Sequence, residues 1–249
     1  GGRHGGDLAG VIKSLDYFEK MGISSLWLNP VLENNMETYS YHGYAMTNLY
    51  NVDPRYGTNE QYKELADKAK EKGIGIIMDQ VANHIGSLHP WMSDLPSEDW
   101  VNQWPEFTQT NHMKVSRFDP HAAEVDRKQF TDGWFVETMP DLNQRNEKLA
   151  RYLIQNSIWW VEYLGLHGIR MDTWSYPDKQ FLADWTKAIL DEYPNFNIVG
   201  EEWVSDPSLI SYWQAGTTKM DDYITYFSRV MDFTLQSALI EGLNGESGW

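Results

Sequence analysis

Two carboxylic acids, Asp172 and Glu201, stand in sequence contexts that could give them opposite protonation states. Arg170 precedes Asp172 by two residues, so both side chains point the same way if the segment is an extended strand. A guanidinium beside a carboxylate favours the ionised form and lowers the pKa of the carboxyl group. Glu201 stands with Trp203 and Trp174, and desolvation by apolar neighbours would raise its pKa. The pair therefore predicts a nucleophilic carboxylate next to a proton-donating carboxylic acid.

The segments around these residues alternate between strands and helices. Apolar runs predict strands at residues 23–28, 74–78, 168–171, 197–200 and 228–232. Helical spacing and capping signals predict helices at residues 8–22, 58–72, 147–164, 178–193 and 207–213, and a final helix from residue 234. This alternation is typical of an α/β fold with a parallel sheet and right-handed crossovers.

Polar residues gather where the predicted strands end, at Asn29, Asp79, Asp172, Glu201 and Asp232. A TIM-type (β/α)8 barrel keeps its active site at this edge of the sheet, so we expect that fold. Five strands are predicted, whereas a closed barrel has eight. We therefore expect residues 1–249 to be a segment of a catalytic barrel domain that carries about the second to the sixth strand.

Residues 85–143 interrupt the alternation. This stretch has no clear strand and helix rhythm but many Trp, Pro, His and Asp residues. A connection of this length without regular structure is usually functional or a small subdomain. We expect a subdomain at about residues 86–141, inserted after the third barrel strand.

The composition limits the partners of the chain. Its 20 Lys and Arg residues against 36 Asp and Glu residues give a formal charge of -16. Nucleic acids and anionic membrane surfaces need a basic face, so we expect neither as a partner. The chain has no cysteine, no apolar run long enough to span a membrane and no signal peptide at residues 1–7. Oligomeric state and compartment stay open, with a periplasmic or extracellular location favoured over the cytoplasm.

Five motifs in register resemble the α-amylase family of retaining glycoside hydrolases. They are residues 41–44 (YHGY), 79–84 (DQVANH), 139–143 (MPDLN), 168–172 (GIRMD) and 200–203 (GEEW). Residues 5–7 (GGD), 40–44 and 200–203 look most like the cyclomaltodextrinase and neopullulanase group. The resemblance implies hydrolysis of α-1,4-glucosidic bonds in cyclodextrins, maltodextrins or related α-glucans. An α-glucosidase or transglycosylase of the same family, or a non-catalytic glucan-binding relative, are the alternatives.

The resemblance also implies roles for the carboxylates. Retaining hydrolysis needs two carboxyl groups about 5–5.5 Å apart. Asp172 would be the nucleophile and Glu201, directly after the glycine, the acid/base. Glu202 alternates with Glu201 and is expected to face away from the cleft, towards packing. Asp79 is expected to orient Arg170 rather than to contact sugar.

Five further residues are implied to bind the substrate. His84 would hydrogen-bond the sugar at the cleaved bond, and Tyr44 would stack under the same sugar. Tyr176 stands at the next subsite, where an aromatic ring suggests stacking. Trp203 would line that side, and Arg170 completes the set. For each aromatic or histidine residue, core packing is the alternative.

The family also uses a third carboxylate in an Asn-His-Asp motif, which this sequence does not contain. His84 and Asn111-His112 stand in different contexts. We therefore expect residues 1–249 alone to be inactive and the full-length protein to be active. No cofactor is expected for the chemistry. A structural calcium ion with oxygens from Gly5 and Asp7 is implied by the cyclomaltodextrinase relatives.

Overall fold

Four parallel strands form the central sheet of the computed structural model, which describes residues 2–219, 221–227 and 229–245. The strands pair in chain order: β1 (Ser25–Trp27), β2 (Gly75–Gln80), β3 (Gly168–Met171) and β4 (Asn197–Gly200). Leu26 pairs with Ile76, Met78 with Ile169, and Ile169 with Ile198. The parallel pairing confirms the predicted α/β class, and it brings the carboxyl ends of all four strands to one edge.

Ser228, the first residue of the predicted fifth strand at residues 228–232, lies outside the described residues. The described part, residues 229–232, forms a single parallel bridge between Gly200 and Val230 rather than the predicted strand. Met231 N–H donates to Gly200 O at 3.2 Å. Asp232 then accepts a hydrogen bond from Leu235 N–H and caps the next helix, so the chain leaves the sheet after one pairing.

Eight α-helices accompany this sheet in the part of the chain that the structure describes. They are α1 (Leu8–Lys13), α2 (Leu15–Lys20), α3 (Asn59–Glu71), α4 (Glu124–Asp132), α5 (Glu147–Leu164), α6 (Lys179–Glu192), α7 (Pro207–Ser211) and α8 (Phe233–Asn244). The single helix predicted at residues 8–22 is interrupted at Ser14. Ile23, predicted as strand, donates its N–H to Phe18 O at 3.0 Å and closes the helix instead, which shortens β1.

Local capping explains where the long helices begin and end. Thr58 and Gln61 form a capping box at the start of α3. Asn146 accepts hydrogen bonds from the first turn of α5, and Asp178 does the same for α6. Gly165 ends α5 at φ +64°, a conformation that glycine adopts without a steric penalty.

Tryptophan residues fill much of the core. Trp160, Trp174, Trp185 and Trp213 are fully buried, so for these four the core-packing alternative holds. Two hydrogen bonds run from α6 to the sheet: Trp185 Nε1 donates to Ser157 Oγ, and Ser157 Oγ donates to Gln80 Oε1, each at 2.8 Å. This chain of bonds fixes the carboxyl end of β2. No helix among the described residues is both long enough and apolar enough to traverse a bilayer.

The segment between β2 and α5 is mostly irregular. It contains α4, two 3₁₀ turns (Pro90–Met92 and Lys114–Arg117) and three isolated bridges, among them His84 to Asp141. We refer to residues 86–141 as the inserted segment. Its status as a separate subdomain with those limits stays a prediction.

The capping box of α3 provides a test of how the fold is stabilised. Thr58→Ala removes the side-chain acceptor of Gln61 N–H and is expected to lower the free energy of unfolding by about 1 kcal/mol. Thr58→Ser keeps the acceptor and is the control. Urea denaturation of both variants measures the difference, and equal midpoints for the two would contradict the assignment.

Candidate active site

A cavity of about 700 Å³ opens at the carboxyl ends of the strands. Its lining includes all seven residues that the sequence assigned to catalysis and substrate binding: Tyr44, His84, Arg170, Asp172, Tyr176, Glu201 and Trp203. Asp172 N–H donates to Gln80 O at 2.8 Å, and Glu201 N–H donates to Met171 O at 3.0 Å. The two acids therefore stand on neighbouring strands, one residue beyond the regular ladder.

Arg170 is the centre of the charged cluster. Its Nη1 donates to Asp79 Oδ1 and to Asp172 Oδ1, both at 2.8 Å, and its Nη2 lies 2.9 Å from Glu201 Oε1. The guanidinium side chain is only 5% exposed. Asp79 faces Arg170 across the pairing of β2 and β3, so sheet register alone brings these two together. One cation thus holds three carboxylates, including both candidate catalytic groups.

The protonation of Asp172 differs from the sequence expectation. Burial raises the pKa of its carboxyl to about 8, although Arg170 acts in the opposite direction, and the charges of Glu201 and Asp79 raise it further. A single guanidinium cannot offset desolvation and two neighbouring carboxylates. The predicted lowering of this pKa is therefore wrong for the free site. Asp172 therefore retains its proton near neutral pH in the free site.

The surroundings of Glu201 are more polar than expected. Its Oε2 accepts the backbone N–H of Thr173 at 3.0 Å, and its Oε1 faces Arg170. Trp203 is 65% exposed, and Trp174 is fully buried. Polar partners thus contact both carboxylate oxygens of Glu201, and the expected apolar aromatic shell around this residue stays a prediction.

Trp174 instead explains the glycine before Glu201. A Cβ atom at Gly200 would lie 2.7 Å from Cδ2 of the Trp174 ring, closer than real Cβ contacts. Trp174 N–H also donates to Glu201 O at 2.9 Å. Position 200 therefore requires glycine, because any side chain there would collide with the Trp174 ring.

Thr173 is a strained residue that the sequence did not reveal. Its φ of +45° is in the left-handed region, which β-branched residues rarely adopt. Such a conformation costs about 1–3 kcal/mol and persists where the surrounding structure enforces it. The strained turn directs the Thr173 N–H to Glu201, so the residue after the candidate nucleophile holds the candidate acid/base.

Asp79 is a supporting residue, as expected. It is buried and accepts hydrogen bonds at Oδ2 from Trp27 Nε1 at 3.0 Å and from the Tyr44 hydroxyl at 3.2 Å. Burial raises the pKa of Asp79 to about 6, against the lowering effects of Arg170 and these donors. Tyr44 thereby has its hydroxyl fixed by the same network, while its ring lines the cavity.

His84 lines the cavity, but both of its ring nitrogens have partners within the chain. Nε2 lies 3.2 Å from Tyr44 O, and Nδ1 lies 3.3 Å from Asn83 Nδ2. Burial lowers the pKa of His84 to about 4, so the ring is neutral at pH 7. A neutral ring suits hydrogen bonding to a sugar hydroxyl, which would replace the contact to Tyr44.

The two aromatic residues expected at the next subsite differ in surroundings. Tyr176 is buried against Phe130 and Phe135, with ring centroids 4.8 and 5.5 Å away. Trp203 stacks on Phe233 at 5.0 Å with an angle of 8° between the rings. Since Trp203 is also largely exposed, it presents an open aromatic face, whereas Tyr176 is held in an aromatic cluster.

Sequence reasoning missed four cavity residues of the inserted segment: His112, Lys114, Phe135 and Met139. The sequence context of His112 differs from the Asn-His-Asp motif, so the sequence gives no signal for it. Lys114 Nζ lies 2.8 Å from Glu202 Oε1, and Glu202 is fully buried outside the cavity lining. The expectation that Glu201 faces the cleft and Glu202 faces away agrees with this arrangement.

Asp7, one of the two residues implied to bind calcium, caps a helix in the structure. Its Oδ1 accepts the N–H of Gly10 at 2.7 Å at the start of α1. Across the described ranges there is no group of three or more His, Asp or Glu side chains that could hold a metal ion. Calcium takes six to eight oxygen ligands, so a site at Gly5 and Asp7 would need others. The calcium site stays a prediction.

Known proteins share both the sequence pattern and the fold. Residues 1–239 match the family described as alpha amylase, catalytic domain. Alpha-amylase 3 of Dictyoglomus thermophilum is 33% identical over 224 residues, which cover 84% of this chain and 42% of the relative. A cyclomaltodextrinase of Thermoanaerobacter pseudethanolicus is 28% identical over 246 residues, covering 95% of this chain and 38% of the relative.

Among solved structures, the α-amylase of Geobacillus thermoleovorans in complex with acarbose superimposes with a TM-score of 0.77 and 33% identity. The match covers 96% of this chain and 48% of that one. It confirms the predicted barrel fold, of which the four-stranded sheet is a part. The chain thus spans less than half the length of these relatives.

The raised pKa of Asp172 predicts how stability depends on pH. The folded state keeps a proton on this carboxyl up to a pKa of about 8, whereas the unfolded chain releases it near 3.8. Because the unfolded state binds fewer protons in this interval, the free energy of unfolding falls as pH rises through it. Relative to Asp172→Asn, the wild-type protein is therefore expected to lose stability from about pH 4 to about pH 8.

Urea denaturation of both proteins at several pH values measures this difference. Asp94→Asn, at an exposed position outside the cavity, is the matched control and should parallel the wild type. A difference between the wild type and Asp172→Asn that stays constant over this pH range would contradict the protonated cluster.

Proposed function

This chain belongs to the α-amylase family of glycoside hydrolases, and from that premise we propose that the full-length protein hydrolyses α-1,4-glucosidic bonds with retention of configuration. The observation that carries the proposal is the attachment of Asp172 and Glu201 to two nitrogens of one guanidinium at the floor of the cleft. Two carboxyl groups bound in this way lie close together, as the retaining mechanism requires. The likeness to cyclomaltodextrinase and amylase relatives supports cyclodextrins, maltodextrins or related α-glucans as substrates.

In the first step, an Asp172 carboxylate oxygen attacks the anomeric carbon. The bond from that carbon to the glycosidic oxygen breaks, and the oxygen takes the proton of Glu201. The product is a glycosyl ester on Asp172 and an ionised Glu201. This step needs one acid ionised and the other protonated.

In the second step, Glu201 accepts a proton from water as the water oxygen attacks the anomeric carbon. The ester bond to Asp172 breaks, which restores the carboxylate, and Glu201 is again protonated. Arg170 contacts both acids in the free site, so it can stabilise whichever carboxylate is ionised at each stage. The net consumption is one water molecule per glycosidic bond.

The cleft also suits a neutral sugar polymer. An apolar pyranose face packs well on an aromatic ring, and Trp203 offers an open face while Phe233 supports the other. We infer that Trp203 binds a sugar beside the cleaved bond. Tyr44 and His84 lie within the same cavity and would bind the sugar whose anomeric carbon reacts.

The nearest alternative is an α-glucosidase or a transglycosylase of the same family, since the same pair of carboxyls serves all three reactions. Comparing products from β-cyclodextrin with those from maltose distinguishes them: ring opening supports the cyclomaltodextrinase type, and glucose from maltose alone supports the α-glucosidase. Longer oligosaccharides than the substrate would indicate transfer. A non-catalytic glucan-binding protein would bind these sugars without releasing any product.

Replacement of each catalytic group tests the proposed roles in the full-length protein. Asp172→Asn is expected to abolish hydrolysis of both maltodextrin and an aryl glucoside with a good leaving group, because no nucleophile remains. Glu201→Gln is expected to lower turnover of maltodextrin by about 10²–10⁴-fold. It should retain much more of the first step on the aryl glucoside, whose leaving group needs no proton.

Glu71→Gln, at an exposed end of α3 far along the chain from the site, is the matched control for loss of a carboxylate. Release of reducing sugar and of the aryl group measures the two activities. Wild-type turnover by Asp172→Asn would show that the nucleophile is wrongly assigned.

The isolated chain of residues 1–249 is expected to show no hydrolysis of maltodextrin. The described residues form four paired strands, whereas a closed barrel has eight, and residues 1–249 do not contain the third carboxylate that the resemblance implies. Reducing-sugar release by this polypeptide, compared with the full-length protein at equal molar concentration, measures the effect. Robust hydrolysis by residues 1–249 would contradict the expectation.

A further inference from the structure

One loop of the inserted segment contacts the ends of both strands that carry the proposed catalytic groups. His112 Nδ1 is hydrogen-bonded to the Tyr176 hydroxyl at 2.9 Å, and Tyr176 belongs to the turn after β3. Lys114 Nζ lies 2.8 Å from Glu202 Oε1 and donates to Trp203 O at 3.3 Å, both just after β4. We call residues 111–114 the bridging loop.

The contact of Lys114 with Glu202 is a buried ion pair. The Glu202 side chain is fully buried and that of Lys114 is 14% exposed. An unpaired charge at such a position is strongly unfavourable, so the pair resists separation. Glu202 directly follows Glu201. The ion pair therefore links Lys114 to the backbone beside the acid/base.

The bridging loop is itself held in one conformation. His112 has a φ of +55°, which is uncommon for a residue other than glycine. Asn111 Nδ2 donates to Asp126 O in α4, and Asn111 Oδ1 accepts the N–H of Met113, both at 2.9 Å. Phe135 packs against the His112 ring at 5.4 Å. These contacts make the loop a stiff connection rather than a flexible cover.

We propose that Lys114 is a positioning residue that fixes Glu201 relative to Asp172 through its ion pair with Glu202, with His112 as the second anchor of the bridging loop on Tyr176. The proposal rests on the proposed function, because it concerns the rate of that reaction. Small displacements of a catalytic group lower turnover strongly, since the reacting atoms must be in near-attack geometry. Lys114 acts on the rate of bond cleavage more than on substrate affinity.

Lys114→Met in the full-length protein tests this role. With maltodextrin as substrate, kcat is expected to fall about tenfold or more while KM changes little. A fall in kcat at a nearly unchanged KM is a result that a general loss of structure would not produce.

Two further variants sharpen the test. Lys114→Arg keeps the cation and should restore kcat to a near wild-type value. The double variant Lys114→Met and Glu202→Gln removes both charges and with them the ion pair, so its kcat should stay low while KM changes little. Should Lys114→Met fail to fold, the kcat of this double variant decides the question.

Lys128→Met is the matched control, because Lys128 lies in the same segment, 59% exposed, and its partner Asp132 keeps Arg145 at 2.9 Å. It should behave as the wild type. The proposal is overturned if the wild type is active and Lys114→Met, or the double variant in its place, retains wild-type kcat. A wild-type protein without hydrolytic activity would instead overturn the proposed function, and this proposal with it.

Discussion

The ion-pair cluster around Arg170 is the interaction on which the site depends. One guanidinium, buried at the end of β3, binds Asp79 of β2, Asp172 after its own strand and Glu201 after β4. Burying three carboxylates with one cation would be prohibitive without further hydrogen bonds and a retained proton. Trp27, Tyr44 and the backbone of Thr173 supply those bonds. The sheet, the aromatic residues and the strained turn therefore all help to stabilise the three carboxylates around Arg170.

The cluster also explains why the site is assembled from distant parts of the chain. Parallel pairing places the three strand ends side by side, but it leaves the open edge of the cleft unlined. The inserted segment covers that edge with Phe135, whose ring contacts His84, His112 and Tyr176. The register of the strands thus places the charged residues at the floor of the site, and the packing of the inserted segment forms its wall.

Sequence reasoning succeeded where a local rule decides the outcome. The predicted bounds of α5, between Asn146 and Gly165, agree with the structure. Those of β3 and β4 agree as well. Sequence reasoning failed where a property depends on several residues that are far apart in the sequence. The pKa of Asp172 depends on burial and on Asp79 and Glu201 as well as on the visible Arg170. Likewise His112 reaches Tyr176 across 64 residues, and no spacing rule predicts such a contact.

The contact between Gly200 and Trp174 changes what the sequence signature around Glu201 means. Gly200 is not among the residues that line the cavity, and its missing side chain leaves room for the indole ring of Trp174. The two adjacent residues therefore meet different requirements: Glu201 lines the cavity, whereas Gly200 is needed for packing. A transplant of this acid and its glycine onto another barrel would lack that packing contact unless the tryptophan were transplanted as well.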